Sequence, residues 1–468
     1  MNNTMTFHQV CAACATPPGQ SGIAVIRLSG PGSALAVDTI FQPSGRQAST
    51  VQAMDGYTCA LGRIVNPADQ SLVDQVIVTR YTAPSSYTGE EVVEISCHGG
   101  IAVRQMILDL LFDQGVRPAE PGEFTRRAFM NGKLDLVQAE AVMDLIQAGA
   151  ERASRVAAAQ LDGALSDRIR AILHRLLAVS ADLEMILEFP EHEDSPDELP
   201  DLFERLRPLH RKIAELAASY RQGRLLREGL SVVIAGRPNA GKSSLLNALT
   251  GFDRAIVTPV PGTTRDTVEV LIDIEGLPVR LVDTAGLRET DDVIEKFGVE
   301  RTRDALKNAD LVFWLISPPI GDLAEEAAAV EAVRGREVIV IAGKEDLAES
   351  QGLLDQISTI FAGHQVLSFS VHRPEGLASL REAILACYEN TGSGRMDSLI
   401  ITSQRHQQVL LEAAASLEQA ITAAESRIAV DMIASLIRAC AETLASLTGE
   451  QISQQLVDTI FSRFCVGK

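Results

Sequence analysis

Residues 236–243, Gly-Arg-Pro-Asn-Ala-Gly-Lys-Ser, constrain the fold of this chain more than any other part of its sequence. They have the spacing GxxxxGK[ST], with an apolar run before them and a helix-forming run after them. In that strand–loop–helix order, the glycines allow backbone N–H groups to turn inward around phosphate oxygens. The sequence therefore predicts a phosphate-binding loop, with Lys242 on the β- and γ-phosphates and Ser243 on Mg²⁺.

Two later segments extend this prediction. Asp283 opens an Asp-Thr-Ala-Gly segment after a second apolar run, and it would hold the Mg²⁺ water shell while Gly286 offers an N–H to the γ-phosphate. Thr263 and Thr264 lie between the two motifs, where a switch loop would place a threonine on Mg²⁺. An isolated DxxG is weak, but in this order after a phosphate-binding loop it is specific.

The pattern for base recognition is less complete. GTP-binding proteins carry Asn-Lys-x-Asp after a strand, and here Lys344 and Asp346 match while Gly343 replaces the asparagine. Ser370 opens the segment where a second base-contacting loop is expected. The sequence predicts guanine recognition, and a surface turn with incidental charges is the alternative. Leu287 stands where small signalling GTPases carry a water-orienting glutamine, so hydrolysis needs another source of water positioning and positive charge.

The chain is long enough, at 468 residues, for several domains. Its first 120 or so residues read as mixed α/β, with strands expected at 23–28, 75–80 and 91–95 and a helix at 103–112. Leucine and isoleucine then recur at helical spacing on both sides of an alternating β/α segment. The simplest arrangement has both helical stretches in one core, with the α/β domain inserted between them.

Composition limits the other functions that this chain could have. The formal charge of −20 argues against a general polyanion binder, although a local basic patch or a partner could still reach RNA. An odd number of cysteines, seven, argues for reduced thiols, and Cys11 and Cys14 fit an apolar strand better than a metal or redox site. The acidic run 188–198 is better read as a solvated loop than as metal ligands. The sequence has no membrane span or signal peptide pattern, so we expect a cytoplasmic protein.

Several long motifs carry a resemblance to one family, and most of them lie outside the nucleotide-binding segment. They are 15–19 (Ala-Thr-Pro-Pro-Gly), 87–90 (Tyr-Thr-Gly-Glu), 97–100 (Cys-His-Gly-Gly), 121–125 (Pro-Gly-Glu-Phe-Thr), 131–136 (Asn-Gly-Lys-Leu-Asp-Leu), 138–141 (Gln-Ala-Glu-Ala), 262–266 (Gly-Thr-Thr-Arg-Asp), 283–288 (Asp-Thr-Ala-Gly-Leu-Arg) and 464–468 (Phe-Cys-Val-Gly-Lys). With them, the chain closely resembles the bacterial MnmE (TrmE) family of tRNA-modification GTPases over essentially its whole length.

The resemblance implies a multidomain α/β and α architecture. Its parts would be an N-terminal α/β folate-binding and dimerisation domain (1–125), a discontinuous helical domain (126–228 and 389–468) and an inserted Ras-like G domain with the phosphate-binding loop (229–388). It also implies a homodimer, a complex with the FAD-dependent protein MnmG, and action on tRNA without a membrane. Together such complexes add an aminomethyl or carboxymethylaminomethyl group to C5 of the wobble uridine, U34, in certain tRNAs.

The resemblance also implies ligands and site residues. The cofactors would be K⁺, Mg²⁺ and 5-formyl- or 5,10-methylene-tetrahydrofolate, with GTP as substrate. The GTP contacts would be Asn239, Ala240, Gly241, Lys242, Ser243, Ser244, Thr258, Thr263, Thr264, Asp283, Thr284, Ala285, Gly286, Lys344, Asp346 and Ser370. Mg²⁺ would take Ser243 and Thr264, and K⁺ would take Asn239, Thr258, Val260 and Thr263. Folate would take Arg27, Glu94, Lys133 and Lys468.

Three residues are expected to be catalytic: Lys242, Glu295, which matches the family's water-positioning glutamate, and Cys465 in the C-terminal motif. Without the resemblance, Glu295 and Glu94 would read as solvated carboxylates and Cys465 as an inert thiol. The sequence thus leaves two hypotheses, a K⁺-activated GTPase of tRNA modification and a folate- and nucleotide-binding scaffold with a degenerate G domain. The scaffold hypothesis is based on Gly343, which replaces the asparagine of the usual base-recognition motif.

Overall fold

The computed structural model of the chain describes residues 9–45, 49–188, 199–252, 254–255, 269–283, 304–333, 335–347, 352–390, 399–426, 428–450 and 453–468. The backbone contacts divide the chain into two compact units. The first comprises residues 1–143 and 445–468, and the second comprises residues 144–444. This division does not test the domain boundaries expected from the sequence, which stay a prediction.

The first unit is built on a seven-stranded sheet in the order β3-β4-β5-β6-β2-β1-β7. Its strands are β1 Cys11–Cys14, β2 Ser21–Ser29, β3 Phe41–Pro43, β4 Thr58–Val65, β5 Leu72–Tyr81, β6 Val92–Gly99 and β7 Arg117–Pro118. Neighbouring strands are antiparallel except β1 and β7, which are parallel. The strands and the helix expected at 23–28, 75–80, 91–95 and 103–112 are confirmed, each slightly longer than the sequence pattern indicated.

Side chains alternate between the two faces of this sheet. In β5, Val76 and Val78 point into a core beneath helices α1, Ser33–Asp38, and α2, Ile101–Asp113, whereas Ile77 is exposed on the opposite face. This period of two is what a half-buried strand requires. The exposed face is called the outer face below.

The first unit also contains the helices α3 Glu123–Met130 and α15 Gln454–Phe461 and the first part of α4 Leu136–Gln147. Leu136, Ala139 and Met143 pack in one cluster with Phe461 and Phe464. Residues more than 300 positions apart in the sequence therefore share one core, as the matching helical patterns on both sides of the α/β segment suggested.

The second unit contains another seven-stranded sheet, in the order β14-β13-β12-β8-β11-β10-β9. Its strands are β8 Leu230–Gly236, β9 Arg254–Ala255, β10 Glu269–Ile274, β11 Leu277–Asp283, β12 Leu311–Ile316, β13 Glu337–Gly343 and β14 Gln365–Phe369. The five strands from β14 to β11 are parallel, and β10 and β9 are antiparallel to their neighbours. Apolar clusters cover both faces, which explains why β12 and β13 are continuous apolar runs.

The remaining helices lie before, within and after this sheet. They are α5 Glu151–Leu161, α6 Ala164–Glu188, α7 Leu199–Ala218, α8 Tyr220–Glu228, α9 Lys242–Phe252, α10 Leu323–Glu331, α11 Leu353–Ile360, α12 Pro374–Glu389, α13 Gln404–Glu425 and α14 Val430–Thr448. Helix α7, before the sheet, pairs with α13, after it, and the pair carries ion pairs Arg207–Glu425 at 2.6 Å and His210–Glu418 at 3.1 Å. The expectation of an α/β segment inserted into a helical domain is confirmed.

Two further sequence-based expectations concern the cysteines of β1 and the acidic run 188–198. Cys11 and Cys14 form strand β1, as the apolar reading of CxxC predicted, and burial raises the pKa of Cys11 to about 12. Most of the acidic run, 189–198, lies outside the described residues. Among the helices that the structure describes, none has the length and apolarity needed to cross a bilayer.

Candidate functional site

The phosphate-binding loop runs from the end of β8 to the start of α9. Gly236 has φ +138°, and a Cβ there would lie 2.3 Å from the Leu315 carbonyl oxygen, so the position requires glycine. Asn239 and Gly241 also have positive φ, +62° and +101°. This succession of left-handed residues curls the loop backbone, which is the conformation that groups N–H donors around an anion.

Lys242 lies inside this loop. Its side chain is buried, and Nζ donates hydrogen bonds to the carbonyl oxygens of Gly236 at 3.1 Å and Arg237 at 2.8 Å. The loop therefore holds the ammonium group at the start of α9, where the positive end of the helix dipole also favours an anion. Lys242 thus lies in the phosphate-binding loop, and its contact with the β- and γ-phosphates stays a prediction.

Ser243 and Asp283 meet across the edge of the sheet. Strands β8 and β11 are parallel with Ile234 opposite Asp283, and Ser243 Oγ donates to Asp283 Oδ2 at 2.9 Å. A hydroxyl and a carboxylate at a phosphate-binding loop are hard oxygen ligands of the kind that Mg²⁺ uses. This donor set fits the magnesium ion expected from the sequence.

The base-recognition residues follow the next two strands. Lys344 Nζ donates to the carbonyl oxygens of Asn239 at 3.3 Å and Pro318 at 3.1 Å. Ser370 Oγ donates to Asp346 Oδ1 at 2.6 Å, and this hydrogen bond lowers the pKa of Asp346. The carboxylate is therefore ionised at neutral pH and acts only as an acceptor, which complements the N1–H and N2–H₂ donors of guanine.

Sequence reasoning missed two residues around the loop. Ser317 Oγ donates to the carbonyl oxygen of Ala240 at 2.7 Å. The Arg237 side chain binds the carboxylates of Glu325, at 2.5 Å, and Glu326, at 2.7 Å. A serine directly after an apolar strand gives no recognisable signal, since its partner lies 77 positions away.

The structure brings together Lys242, Ser243 and Asp283, and places Lys344, Asp346 and Ser370 at the same edge of the sheet. Ala240 is buried in the loop, and Ser243 and Ser244 are exposed. The other expected residues lie outside the described part of the chain: Thr258, Val260, Thr263, Thr264, Thr284, Ala285, Gly286 and Glu295. Their roles stay predictions.

The first unit carries a second candidate site on its outer face. Arg27 in β2 lies opposite Glu94 in β6, and Arg27 Nη2 and Glu94 Oε1 are 2.8 Å apart. The Arg27 guanidinium also lies 5.2 Å from the ring centroid of Tyr87 and 5.6 Å from that of Phe124. An ion pair placed against aromatic rings offers a planar ligand both hydrogen bonds and stacking.

A cavity of about 350 Å³ lies beside this ion pair. It is lined by Tyr57, Tyr81, Ser85, Ser86, Tyr87 and Lys133. Tyr81 links the cavity to the ion pair, because its hydroxyl is 3.5 Å from Glu94 Oε2, and burial and Glu94 both raise the pKa of Tyr81. Three of the five tyrosines in the chain converge here, which no periodicity in the sequence indicated.

The C-terminal motif is attached to the same unit. The Lys468 carbonyl oxygen accepts from the Phe124 N–H at 3.2 Å, and Val466 forms a β-bridge with Pro121. Burial and the nearby positive charge of Arg27 lower the pKa of Lys468. The structure therefore brings Arg27, Glu94 and Lys468 together, with Lys133 on the adjoining cavity, while the Cys465 side chain is exposed.

Comparison with known proteins extends over nearly the whole chain. Residues 10–133 match a family described as "GTP-binding protein TrmE N-terminus", and residues 136–465 match the "MnmE helical domain". The tRNA modification GTPase MnmE of Carboxydothermus hydrogenoformans is 39% identical over 98% of this chain and 99% of its own. That of Bacillus subtilis is 40% identical over the same shares of the two chains.

Solved structures match smaller parts. The G domain of the Thermotoga maritima FeoB iron transporter is 28% identical and covers 34% of this chain and 98% of its own, with a TM-score of 0.27. Aquifex aeolicus Era with GDP and AlF₄⁻ is 25% identical over 40% of this chain and 66% of its own, also with a TM-score of 0.27. The assignment does not depend on these partial overlaps. Matches to both family descriptions and to full-length relatives establish that the chain belongs to the MnmE family of tRNA modification GTPases.

Proposed function

We propose that this protein is a K⁺-activated GTPase that works with the FAD-dependent protein MnmG in the cytoplasm. The two would add an aminomethyl or carboxymethylaminomethyl group to C5 of wobble uridine 34 in certain tRNAs, with a folate-derived one-carbon unit. The observation that carries the proposal is the meeting of Lys242, the Ser243–Asp283 pair and Asp346 at one edge of the second sheet.

The protein's own groups account for nucleotide binding. Lys242 would exchange its two loop carbonyls for phosphate oxygens, Ser243 would turn its oxygen to the magnesium ion, and Asp283 would hold the water shell of that ion. Bound Mg²⁺ supplies positive charge to the phosphate oxygens. Asp346, kept ionised by Ser370, would accept from guanine and select it over adenine.

The proposal of a potassium ion is based on the family resemblance and on the position of Asn239. This residue has a left-handed backbone at the phosphate-binding loop, and Thr258, Val260 and Thr263 would complete the oxygen ligands. Such a cation would supply the charge that stabilises the transferring phosphoryl group, and Glu295 would orient the water.

The folate proposal rests on the Arg27–Glu94 pair and the tyrosine-lined cavity. A fused aromatic ring would stack on tyrosine, the ion pair would give it donors and an acceptor, and Lys133 or Lys468 would attract the carboxylates of the glutamate tail. The cavity and its donors fit such a ligand. We assign Cys465 to the modification reaction on the resemblance alone.

Two measurements test the proposal. GTP turnover in matched KCl and NaCl should be much faster in KCl, because losing a well-placed charge on the transition state costs several kcal/mol. Equal rates would rule out K⁺ activation. Nucleoside analysis of tRNA from cells lacking this protein should show loss of the C5 modification at U34. The native gene should restore the modification in these cells, and the Lys242→Ala variant should not.

The alternative hypothesis, a nucleotide- and folate-binding scaffold, would give a different outcome. Such a protein would bind GDP and 5-formyltetrahydrofolate without turning over GTP in either salt. Restoration of the modification by the Lys242→Ala variant would also favour the scaffold.

A further inference from the structure

The asparagine position of the base-recognition motif is closely approached by two neighbouring side chains. Gly343 is the last residue of β13, and a Cβ there would lie 2.9 Å from Leu315 Cδ1 and 3.2 Å from Ser317 Cβ. A side chain at position 343 would therefore require Leu315 and Ser317, at the end of the neighbouring strand β12, to shift slightly.

Ser317 makes the contact that faces this space. It follows β12 directly, its side chain is buried, and Oγ donates to the carbonyl oxygen of Ala240 at 2.7 Å. The adjacent loop carbonyl, that of Asn239, accepts from Lys344 at 3.3 Å. Successive carbonyls of the phosphate-binding loop are thus held by residues that follow β12 and β13.

We propose that Ser317 is the positioning residue of this nucleotide site. Its hydrogen bond holds the phosphate-binding loop to the end of β12, the strand next to the one that precedes the base-recognition loop, and so takes the place of the bond that the asparagine of the usual motif makes to the phosphate-binding loop. The loss of the asparagine at position 343 is therefore compensated, and the G domain remains a guanine-nucleotide-binding domain. The proposal rests on GTP binding at this loop.

The physical reason lies in the peptide bond between Ala240 and Gly241. In a trans peptide the C=O of one residue and the N–H of the next point in opposite directions. Because Ser317 fixes the Ala240 carbonyl toward β12, it also fixes the direction of the Gly241 N–H on the opposite side of that peptide plane. A donor that is oriented before the ligand arrives raises affinity by reducing the cost of ordering the loop.

The test is fluorescent GDP and GTP titration of Ser317→Ala, together with steady-state hydrolysis. Affinity for both nucleotides should fall about 3- to 10-fold, as expected for one hydrogen bond. KM should rise while kcat at saturating GTP stays near the native value, since the bond is present with and without the transition state. Ser166→Ala, which removes another buried hydroxyl of the same unit, should leave both affinities unchanged.

A second pair of variants separates positioning from simple stabilisation. Ser317→Cys replaces the hydroxyl with a slightly larger thiol that is only a weak donor, so it should weaken binding as alanine does but without leaving a cavity. Gly343→Asn should tighten binding more in the Ser317→Ala background, which lacks the hydrogen bond to the phosphate-binding loop, than in the native protein, where Ser317 already supplies it.

Three outcomes would overturn the proposal. They are unchanged nucleotide affinity in both Ser317 variants, a lowered melting temperature with native affinity, and equal effects of Gly343→Asn in both backgrounds. Native protein that bound no guanine nucleotide would instead overturn the GTP-binding assignment itself, and this proposal with it.

Discussion

At the scale of single residues, we expect base recognition to depend on the charge state of one exposed carboxylate, that of Asp346. Guanine presents two adjacent donors, and only an ionised carboxylate accepts from both. The Ser370 hydroxyl, 2.6 Å from Asp346 Oδ1, lowers the pKa of that carboxyl and fixes its orientation. Selectivity should therefore reside in Asp346, whereas Ser317 contributes affinity without discrimination between bases.

The Asp346→Asn variant should change base preference. A carboxamide has one acceptor and one donor face, which matches the N1–H and C2 carbonyl of xanthine instead of the two guanine donors. Loss of two charge-assisted hydrogen bonds should weaken GDP binding by about 100-fold or more, and xanthosine diphosphate should bind better than GDP. Competition titrations with the two nucleotides measure the change.

A neighbouring carboxylate provides the control for this prediction. Glu345→Gln removes a charge at the position before Asp346, where the carboxylate is 3.9 Å from Arg373. This variant should leave the preference for GDP intact. Native GDP affinity in Asp346→Asn would show that this loop does not contact the base.

The residues of this site differ in how far the sequence could predict them. Lys242, Ser243 and Asp283 follow from short motifs, because phosphate and magnesium binding require particular groups at fixed spacing. Ser317 could not be predicted in this way. Its proposed role depends on the position of β12 between β8 and β13, which the local sequence does not encode. The same applies to Tyr57, whose position in the cavity depends on a tertiary arrangement of separate segments.

At the scale of elements, helix α3 is fixed to the first sheet by a buried charge network. Arg127, fully buried, donates to Glu90 at 2.7 Å and to Glu123 at 2.7 Å. Burial alone would raise the pKa of Glu123, but hydrogen bonds from Arg117, the Glu120 N–H and Arg127 lower it to about 2. An ionised Glu123 is thus part of the folded state, and its ion pair with Arg117 links α3 to strand β7.

This network predicts a defined pH dependence for the Glu123→Gln variant. The folded pKa of Glu123, about 2, lies below its ordinary value of 4.5, so its stabilisation is present above pH 4.5 and is lost as pH falls toward 2. The variant should lose on the order of 3 kcal/mol of unfolding free energy at neutral pH. The difference in unfolding free energy between the variant and the native protein should become smaller below pH 4.5.

Hydrogen exchange of peptides from β2 and β6 in urea measures this effect in the first unit. Trp314, the one tryptophan of the chain, lies in the second unit, so its fluorescence should not change with the substitution. Glu120→Gln, at an exposed position, is the matched control. A loss of stability that was equal at every pH would contradict the assigned role of the Glu123 charge.

The elements themselves were largely predictable, whereas their pairing was not. Alternation in β5 and continuous apolar runs in β12 and β13 distinguish a half-covered sheet from a fully covered one. No local pattern, however, determines that β2 lies between β1 and β6. This neighbour relation is what places Arg27 opposite Glu94, so the second candidate site came from the family resemblance and not from periodicity.

At the scale of the whole molecule, the outer face of the first sheet is an unusual surface. Leu61 in β4 lies opposite Ile77 in β5, and both are exposed, by 50% and 46%. Ile77 lies opposite Ser96, which in turn lies opposite Val25, so the row continues across four strands beside the Arg27–Glu94 pair. Exposed leucine and isoleucine side chains next to each other on a sheet face are typical of a protein interface, and a second copy of this chain is the partner that the family resemblance implies.

The final prediction tests this homodimer with Ile77→Glu. A carboxylate in the middle of the row would lose its water on association, and in a two-fold symmetric contact its own copy would add like-charge repulsion. The dissociation constant should rise by at least about 100-fold, measured by light scattering over a concentration series. GDP affinity, which belongs to the second unit, should stay native.

Leu411→Glu, at an equally exposed position on α13, should leave association unchanged. An unaltered dimer in Ile77→Glu, or dissociation by Leu411→Glu alone, would assign the interface to another surface. If the row is the interface, the variant should also lose affinity for 5-formyltetrahydrofolate, since the Arg27–Glu94 pair lies beside it on the same face.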